Sequence, residues 1–433
     1  MKLCVIGLGK LGAPLAAVLA SKGHEIVGLD LDPAAVDAIN AGRAPVTEPD
    51  LQALIDASRP HLRATQDWHE AVAQSDMSFV IVPTPSEASG VFTSRHVIDA
   101  VTRIGAVLKG SGRYHVVVVT STVMPGQTDG PIRAALETAS GLTVGDGIGL
   151  CYNPEFIALG SVVRDILHPD MVLLGQSDAR AGDALEAVYR GVTENAPPIL
   201  RMNLVNAEIT KLSLNSYVTM KISFANLVAE LCERAPGADA RTVTGALGKD
   251  SRIGGKYLTA ALGYGGPCFP RDNAALRSWA AGLGVGAELA EATDAINRRQ
   301  AARVAALARR HLLPGGAVAI LGLAYKPDTP VVEESQGVMI AAELAAGGAS
   351  VVVHDRLALD NARKVLGARV RCADTLEDAL ARAQVIVITT PDPEYRRVAL
   401  LLAGRNDPPV VVDCWRLLPP DSGGMRLVHV GQG

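Results

Sequence analysis

Along the first two hundred residues, short apolar runs alternate with stretches whose apolar positions recur at helical spacing. The runs Leu3–Ile6, Glu25–Leu29, Met77–Val82, Tyr114–Thr120 and Met171–Gly175 read as strands, and Gly12–Lys22, Pro33–Ala41 and Ser94–Leu108 as helices between them. Such alternation predicts right-handed crossovers and a mostly parallel sheet. A helical pattern then runs from about Asn203 to Arg234, with Asn203 placed to cap its start and Pro236-Gly237 to stop it. About thirty residues of helix span roughly 45 Å, long enough for a spine joining domains or subunits. A glycine-rich stretch, Gly254–Gly266, and further helices to about His311 follow. Pro314-Gly315-Gly316 marks a boundary, and beyond it the alternation resumes with strands at Ala317–Leu321, Val351–His354, Val385–Thr389 and Val410–Asp413.

Composition agrees with this picture and removes several function classes. The 433 residues are 48% hydrophobic and 20% charged, with 43 glycines, as expected where helices pack closely on sheets. A net charge of −4 without a basic stripe argues against nucleic-acid binding. No apolar run reaches the roughly 18–20 residues that span a bilayer. The segment Lys2 to Ala20 imitates a signal peptide, but Gly7, Gly9, Gly12 and Pro14 interrupt it and a strand follows directly. The six cysteines include no Cys-x-x-Cys pair, and the nine histidines form no metal spacing. The expectation is a cytoplasmic protein with reduced thiols and no metal.

Strand Leu3–Ile6 runs into Gly7-Leu8-Gly9-Lys10-Leu11-Gly12 and then a helix. The glycines would give a tight turn, close approach to a pyrophosphate and close helix packing, with the helix N-terminus facing the anion. About twenty residues on, Asp30 ends the next strand where an acid meets ribose hydroxyls and disfavours the 2′-phosphate of NADP; Asp32 is a competing choice. The implied cofactor is NAD. Thr84 and Pro85, in Val82-Pro83-Thr84-Pro85, end a further strand and would shape a ligand loop. In the second sheet Gly322-Leu323-Ala324-Tyr325-Lys326 lacks the three glycines, so it should not hold a second dinucleotide in the same way; Lys326 is placed for a phosphate. The fold class expected is α/β: two Rossmann-like doubly wound sheets joined by a helical middle domain with a long spine helix. The domains would be 1–200, 201–312 and 313–433.

The sharpest local feature is Gly263-Tyr264-Gly265-Gly266-Pro267-Cys268-Phe269-Pro270-Arg271-Asp272. Glycines and prolines set Cys268 on a stiff, irregular loop, with Asp272 four residues later. A thiol beside a nicotinamide suggests covalent catalysis at the aldehyde level, a thiohemiacetal being the hydride donor. Lys211 and Asn215 lie four apart on the long helix, hence on one face. Thr122 and Glu155, the latter in Asn153-Pro154-Glu155-Phe156, follow apolar strands whose ends could point to one cleft.

Together these motifs resemble the UDP-glucose/GDP-mannose dehydrogenase family, in order and over nearly the whole chain. The glycine loop with Pro14-Leu15-Ala16, Pro45 with Glu48-Pro49, Val82–Pro85, Ser121-Thr122-Val123, Asn153–Phe156, Lys211 with Asn215, the Cys268 loop and Gly322–Lys326 carry the resemblance. It implies oxidation of the C6 hydroxyl of a nucleotide sugar, UDP-glucose before GDP-mannose, UDP-N-acetylhexosamine or dTDP-sugars, through an aldehyde and a Cys268 thioester to a uronate, with two NAD. It further implies Lys211, Asn215 and Thr122 positioning oxygens and water, and Asp272 assisting base chemistry. Glu155 would act with Lys211 in acid–base or substrate-positioning work, with Gly265 in the substrate loop. Arg252 would reach the sugar from a partner subunit, Tyr257 and Lys326 would hold phosphates, and the spine helix would form a homodimer. Three positions depart from the family's pattern: Leu159 and Glu333 replace a Glu and an Arg, and Arg271 replaces a Lys. A two-electron hydroxyacid-type dehydrogenase and an inactive nucleotide-binding homologue are the competing readings.

Overall fold

The structure, a computed structural model, describes residues 1–420 and 425–433. It divides into two compact units, Met1–Ser213 and Leu214–Gly433. The first holds eight strands: β1 Lys2–Ile6, β2 Glu25–Leu29, β3 Leu62–Thr65, β4 Met77–Val80, β5 His115–Val119, β6 Ile148–Tyr152, β7 Val172–Gln176 and β8 Ile199–Asn203. Their order is β3-β2-β1-β4-β5-β6-β7-β8, parallel throughout except where β7 runs against β6. Chain order reverses around β1, which makes the C-terminal ends of β1 and β4 the natural ligand crevice. Alternate residues of β1 serve two cores: Leu3 and Val5 join one, Cys4 and Ile6 the other.

The second unit carries β9 Ala317–Leu321, β10 Ser350–His354, β11 Arg371–Cys372, β12 Val385–Ile388, β13 Val410–Asp413 and β14 Arg426–His429, ordered β11-β10-β9-β12-β13-β14 and all parallel. The doubly wound order of the first sheet is thus repeated. One face of this sheet packs Val318 and Ile320 with Ala225 and Ala229 of the long helix and Val304 and Ala305 of helix Gln300–Arg309. The other face packs Ala319 and Leu321 with Leu376 and Tyr395.

The long helix runs Leu204–Cys232, and Asn203 Oδ1 accepts the Asn206 N–H at 2.9 Å, the expected cap. Strand β4 stops at Val80 rather than Val82: the Val82 N–H turns to Ser121 Oγ at 2.9 Å, and two prolines follow. Strands β3, β8 and β14 have mixed polar sequences and surface exposure, and so lack the apolar runs that mark the interior strands. Among the described residues no helix is long and apolar enough to cross a membrane, and no three His, Cys, Asp or Glu side chains cluster as a metal site.

The turn after β1 is built on backbone contact. Gly7 has φ +95°, and a Cβ on Gly12 would lie 1.7 Å from the Gly7 carbonyl oxygen. A Cβ on Gly9 would meet nothing within 4 Å. Gly12→Ala should therefore destabilise the protein by about 1–3 kcal/mol through overpacking, whereas Gly9→Ala should change stability by no more than about 0.5 kcal/mol, as read by denaturant unfolding.

Candidate functional site

The glycine turn, Asp30 and the loops after β4 and β5 form one end of the first unit. Asp30 Oδ2 accepts the Leu8 N–H at 2.6 Å, so its carboxylate sits against the glycine loop. Asp32 is used differently: its Oδ1 accepts the Ala34 N–H and caps helix Pro33–Asn40. Of the two candidates, Asp30 is the one facing the crevice. Beside it lies a cleft of about 310 Å³ lined by Gly7, Leu29, Asp30, Trp68, Pro83 and Arg103 among others. The Arg103 guanidinium stacks over Trp68. The tight turn at Gly7, the open approach at Gly9 and an acid at the end of β2 fit a dinucleotide. Thr84 is buried and donates from Oγ1 to the Thr122 carbonyl at 2.8 Å, while Ser121 Oγ donates to the Val82 carbonyl at 2.7 Å. These bonds stitch the loop bearing Thr84 and exposed Pro85 to the loop bearing Thr122.

Glu155 follows β6. Asn153, at the start of its loop, is buried, and its Nδ2 donates to the Leu173 carbonyl at 3.0 Å. Tyr189, from helix Ala179–Val192, places its hydroxyl 2.5 Å from Asn153 Oδ1 and 3.1 Å from Glu155 Oε1. Lys211 Nζ donates to the Glu155 backbone carbonyl at 2.6 Å and lies over the Phe156 ring. Some Glu155 surface remains exposed, yet enough protein surrounds the carboxyl that burial pushes its pKa up to about 7; the Tyr189 hydrogen bond and the Lys211 charge oppose this. The far end of the loop is fixed by Glu48, which accepts the Gly160 and Val162 N–H groups at 2.9 and 2.7 Å. Leu159, between these anchors, packs against the apolar core.

In the second unit, Cys268 is exposed at the N-cap of helix Phe269–Gly282. One turn on, Asp272 is buried, its N–H bonded to the Cys268 carbonyl and its Oδ2 accepting from Asn215 Nδ2 at 2.6 Å. Arg271 Nε lies 3.9 Å from Asp272 Oδ1. The Cys268 loop is braced from beneath. Asn297 holds both backbone groups of Tyr264, accepting its N–H at 2.8 Å and donating to its carbonyl at 3.0 Å. The Tyr264 hydroxyl donates to Asp294, which also accepts from Asn273 Nδ2 at 3.0 Å and pairs with Arg277. The space that Gly265 leaves is taken by the protein itself: a Cβ there would lie 2.2 Å from the Glu334 carbonyl oxygen. A Cβ on Gly266 would lie 2.6 Å from the Tyr325 ring, and the Gly266 N–H bonds the Glu333 carbonyl at 3.0 Å. Glu333 and its side chain are otherwise exposed.

Tyr257 has φ +62°, is half exposed and stands edge-on to Phe269. Lys326 is partly buried in the loop after β9. Arg252 is largely exposed and pairs with Asp250 at 2.7 Å. The first unit thus gathers Gly7, Gly9, Gly12, Asp30, Thr84, Pro85, Thr122, Glu155 and Lys211, and the second brings Asn215, Asp272 and Cys268 together. Sequence reasoning had no signal for Tyr189, Asn273, Asp294 or Asn297, single polar residues in ordinary amphipathic helices whose meaning appears only when their partners are known.

Three domain models of the UDP-glucose/GDP-mannose dehydrogenase family match the chain: the NAD binding domain over residues 1–193, the central domain over 205–299 and the UDP binding domain over 319–420. The chain is 37% identical over 399 residues to UDP-glucose 6-dehydrogenase AglM of Haloferax volcanii, covering 91% of this chain and 92% of that one. It is 32% identical over 421 residues to a GDP-mannose 6-dehydrogenase of Pseudomonas putida, covering 92% and 93%. A solved UDP-glucose dehydrogenase from Pyrobaculum islandicum superposes with a TM-score of 0.88 at 35% identity, covering 100% of this chain and 98% of that one. The glycine turn, Asp30 and these matches agree on NAD as cofactor and a nucleotide sugar as substrate. The chain belongs to the UDP-glucose/GDP-mannose dehydrogenase family and is an NAD-dependent nucleotide-sugar dehydrogenase.

Proposed function

We propose that the protein oxidises the C6 hydroxyl of UDP-glucose by four electrons, giving UDP-glucuronate. The observation that carries this reading is Cys268: an exposed thiol at a helix N-terminus, on a braced loop, one turn from a buried carboxylate. Bound NAD supplies the hydride acceptor, one molecule for each of the two oxidations. Loss of the hydroxyl proton and a hydride gives the aldehyde. The Cys268 thiol then loses its proton as Sγ bonds the aldehyde carbon and the C=O π bond opens, and the former carbonyl oxygen takes up a proton to form the thiohemiacetal. Loss of that proton and a second hydride leaves the thioester. Water attacks the thioester carbon, the C–S bond breaks, and the uronate and free thiol result. The positive end of the helix favours the departing thiolate.

In this reading Asp272, held by Asn215, serves as a base near the thiol, and Asn215 and Thr122 orient reacting oxygens and water. Glu155 and Lys211 carry acid–base work, while Tyr257 and Lys326 hold the diphosphate beside the Gly265 loop. Arg252 would serve the site of a neighbouring subunit, since its largely exposed guanidinium pairs with its near neighbour Asp250. The long helix supports a homodimer: Tyr217, Phe224 and Leu231, seven residues apart, are 57%, 45% and 60% exposed in the single chain. The six cysteines, with no Cys-x-x-Cys spacing among them, support a cytoplasmic location in which thiols stay reduced. The divisions 1–200, 201–312 and 313–433 serve here as cofactor, central and nucleotide-sugar domains.

A panel of UDP-, GDP- and dTDP-sugars assayed for NADH and uronate tests the reading. UDP-glucose should give two NADH per uronate; one NADH with no uronate overturns four-electron chemistry, and preference for GDP-mannose overturns the substrate. Cys268→Ser should lower steady-state uronate formation by several orders of magnitude while NAD binding persists; full turnover would remove the thiol from the mechanism. Phe224→Glu with Leu231→Glu should yield monomers by light scattering, and an unchanged dimer would place the interface elsewhere.

A further inference from the structure

Asn153, Tyr189 and Glu155 pose a problem of proton counting. The Tyr189 hydroxyl has one proton. Asn153 Oδ1 can only accept, and its orientation is set by the Nδ2 bond to the Leu173 carbonyl. An ionised Glu155 can also only accept. At 2.5 and 3.1 Å, two acceptors would compete for one donor. With Glu155 protonated the conflict disappears: Glu155 donates to the Tyr189 oxygen, and Tyr189 donates to Asn153. All three side chains are then satisfied.

We propose that Tyr189 is a positioning residue whose hydroxyl acts as a two-way switch, donating to Asn153 while Glu155 is neutral and swinging to Glu155 when that carboxyl ionises. Release of the Glu155 proton, to water or to a substrate oxygen, is thereby tied to rotation of one buried hydroxyl. Among the described residues, the titratable and charged groups facing the carboxyl are Tyr189, from helix Ala179–Val192, and Lys211, from the long helix. Lys211 favours the carboxylate, but its ammonium also bonds the Glu155 backbone carbonyl. Burial favours the neutral acid, while a hydrogen bond donated by Tyr189 to Glu155 favours the carboxylate, as the Lys211 charge does. The catalytic consequence rests on the acid–base reading of Glu155; the switch itself does not.

The experiment follows the infrared band of the protonated carboxyl in the free protein across pH, assigned by its loss in Glu155→Gln. Asn153→Ala removes the competing acceptor, so Tyr189 can donate to Glu155 throughout. The titration midpoint, near 7 in the unchanged protein, should fall by about one unit. In the Tyr189→Phe background the same Asn153→Ala change should leave the midpoint where it was. No fall after Asn153→Ala, or an equal fall without the hydroxyl, overturns the proposal. If Asn153→Ala does not fold, fluorinated tyrosine at position 189 carries the test: a stronger donor should lower the midpoint, and an unmoved midpoint overturns the switch. The kcat/KM pH profile separates the two readings. A step near 7 abolished by Glu155→Gln and shifted by Asn153→Ala supports both, whereas a profile indifferent to Glu155→Gln refutes the catalytic role and leaves the infrared result to decide the switch.

Discussion

Backbone pressed directly on backbone is the constraint on which both halves of this protein depend. In the first sheet the start of a helix meets the Gly7 carbonyl through Gly12, and in the second Gly337 meets the Gly322 carbonyl, where a Cβ would lie 2.1 Å away. Each contact lets a helix sit close against the first strand of its sheet and fixes the turn between them. The two turns then diverge. Asp30 accepts a single glycine-loop N–H, from Leu8, and Gly9 leaves open space. Asp355, at the end of β10, accepts four backbone N–H groups, from Leu323, Ala324, Leu357 and Ala358. Its lone pairs are committed to the protein, so the second turn is closed where the first is open to a pyrophosphate and a ribose.

The same economy of contact shapes the thiol loop. The missing side chains of Gly265 and Gly266 admit Glu334 and Tyr325 of the same unit. Beneath them a buried polar layer of Tyr264, Asn273, Asp294 and Asn297 supplies partners to the loop backbone and to one another. A satisfied buried network of this kind has essentially one arrangement, because each lost partner leaves a desolvated group behind. It is the means by which an irregular segment with little regular structure of its own can present Cys268 in one place.

Legibility in the sequence follows the same physical division. Interior strands such as β1, β5 and β12 announced themselves because burial on both faces demands continuous apolar runs. Edge strands β3, β8 and β14 did not, since half their surface faces water. Motifs whose chemistry is local, the glycine turn and the Cys268 loop, were visible because their residues are adjacent in the chain. The third glycine of the second turn was not, because Gly337 sits fifteen positions after Gly322, beyond any recognisable spacing. Asn153 with Tyr189, and Glu48 with Gly160 and Val162, join residues tens of positions apart, and no periodicity records such a pairing.

Glu333 brings these strands together. The family resemblance implies an arginine at this position, and a carboxylate in its place is expected to disturb the loop as well as the charge around a diphosphate. The structure separates the two effects. The Glu333 backbone carbonyl accepts the Gly266 N–H, and any residue supplies that atom. The side chain is exposed, so its identity bears on surface charge rather than on packing. Two arginines of the same unit are engaged with carboxylates, Arg416 with Asp239 and Arg356 with Asp328 and Asp392. The Arg416 and Asp239 side chains are 21% and 23% exposed, so their pair is largely enclosed, whereas Arg356 and Asp328 are 49% and 60% exposed and fall in the range of about 0–1 kcal/mol typical of surface pairs.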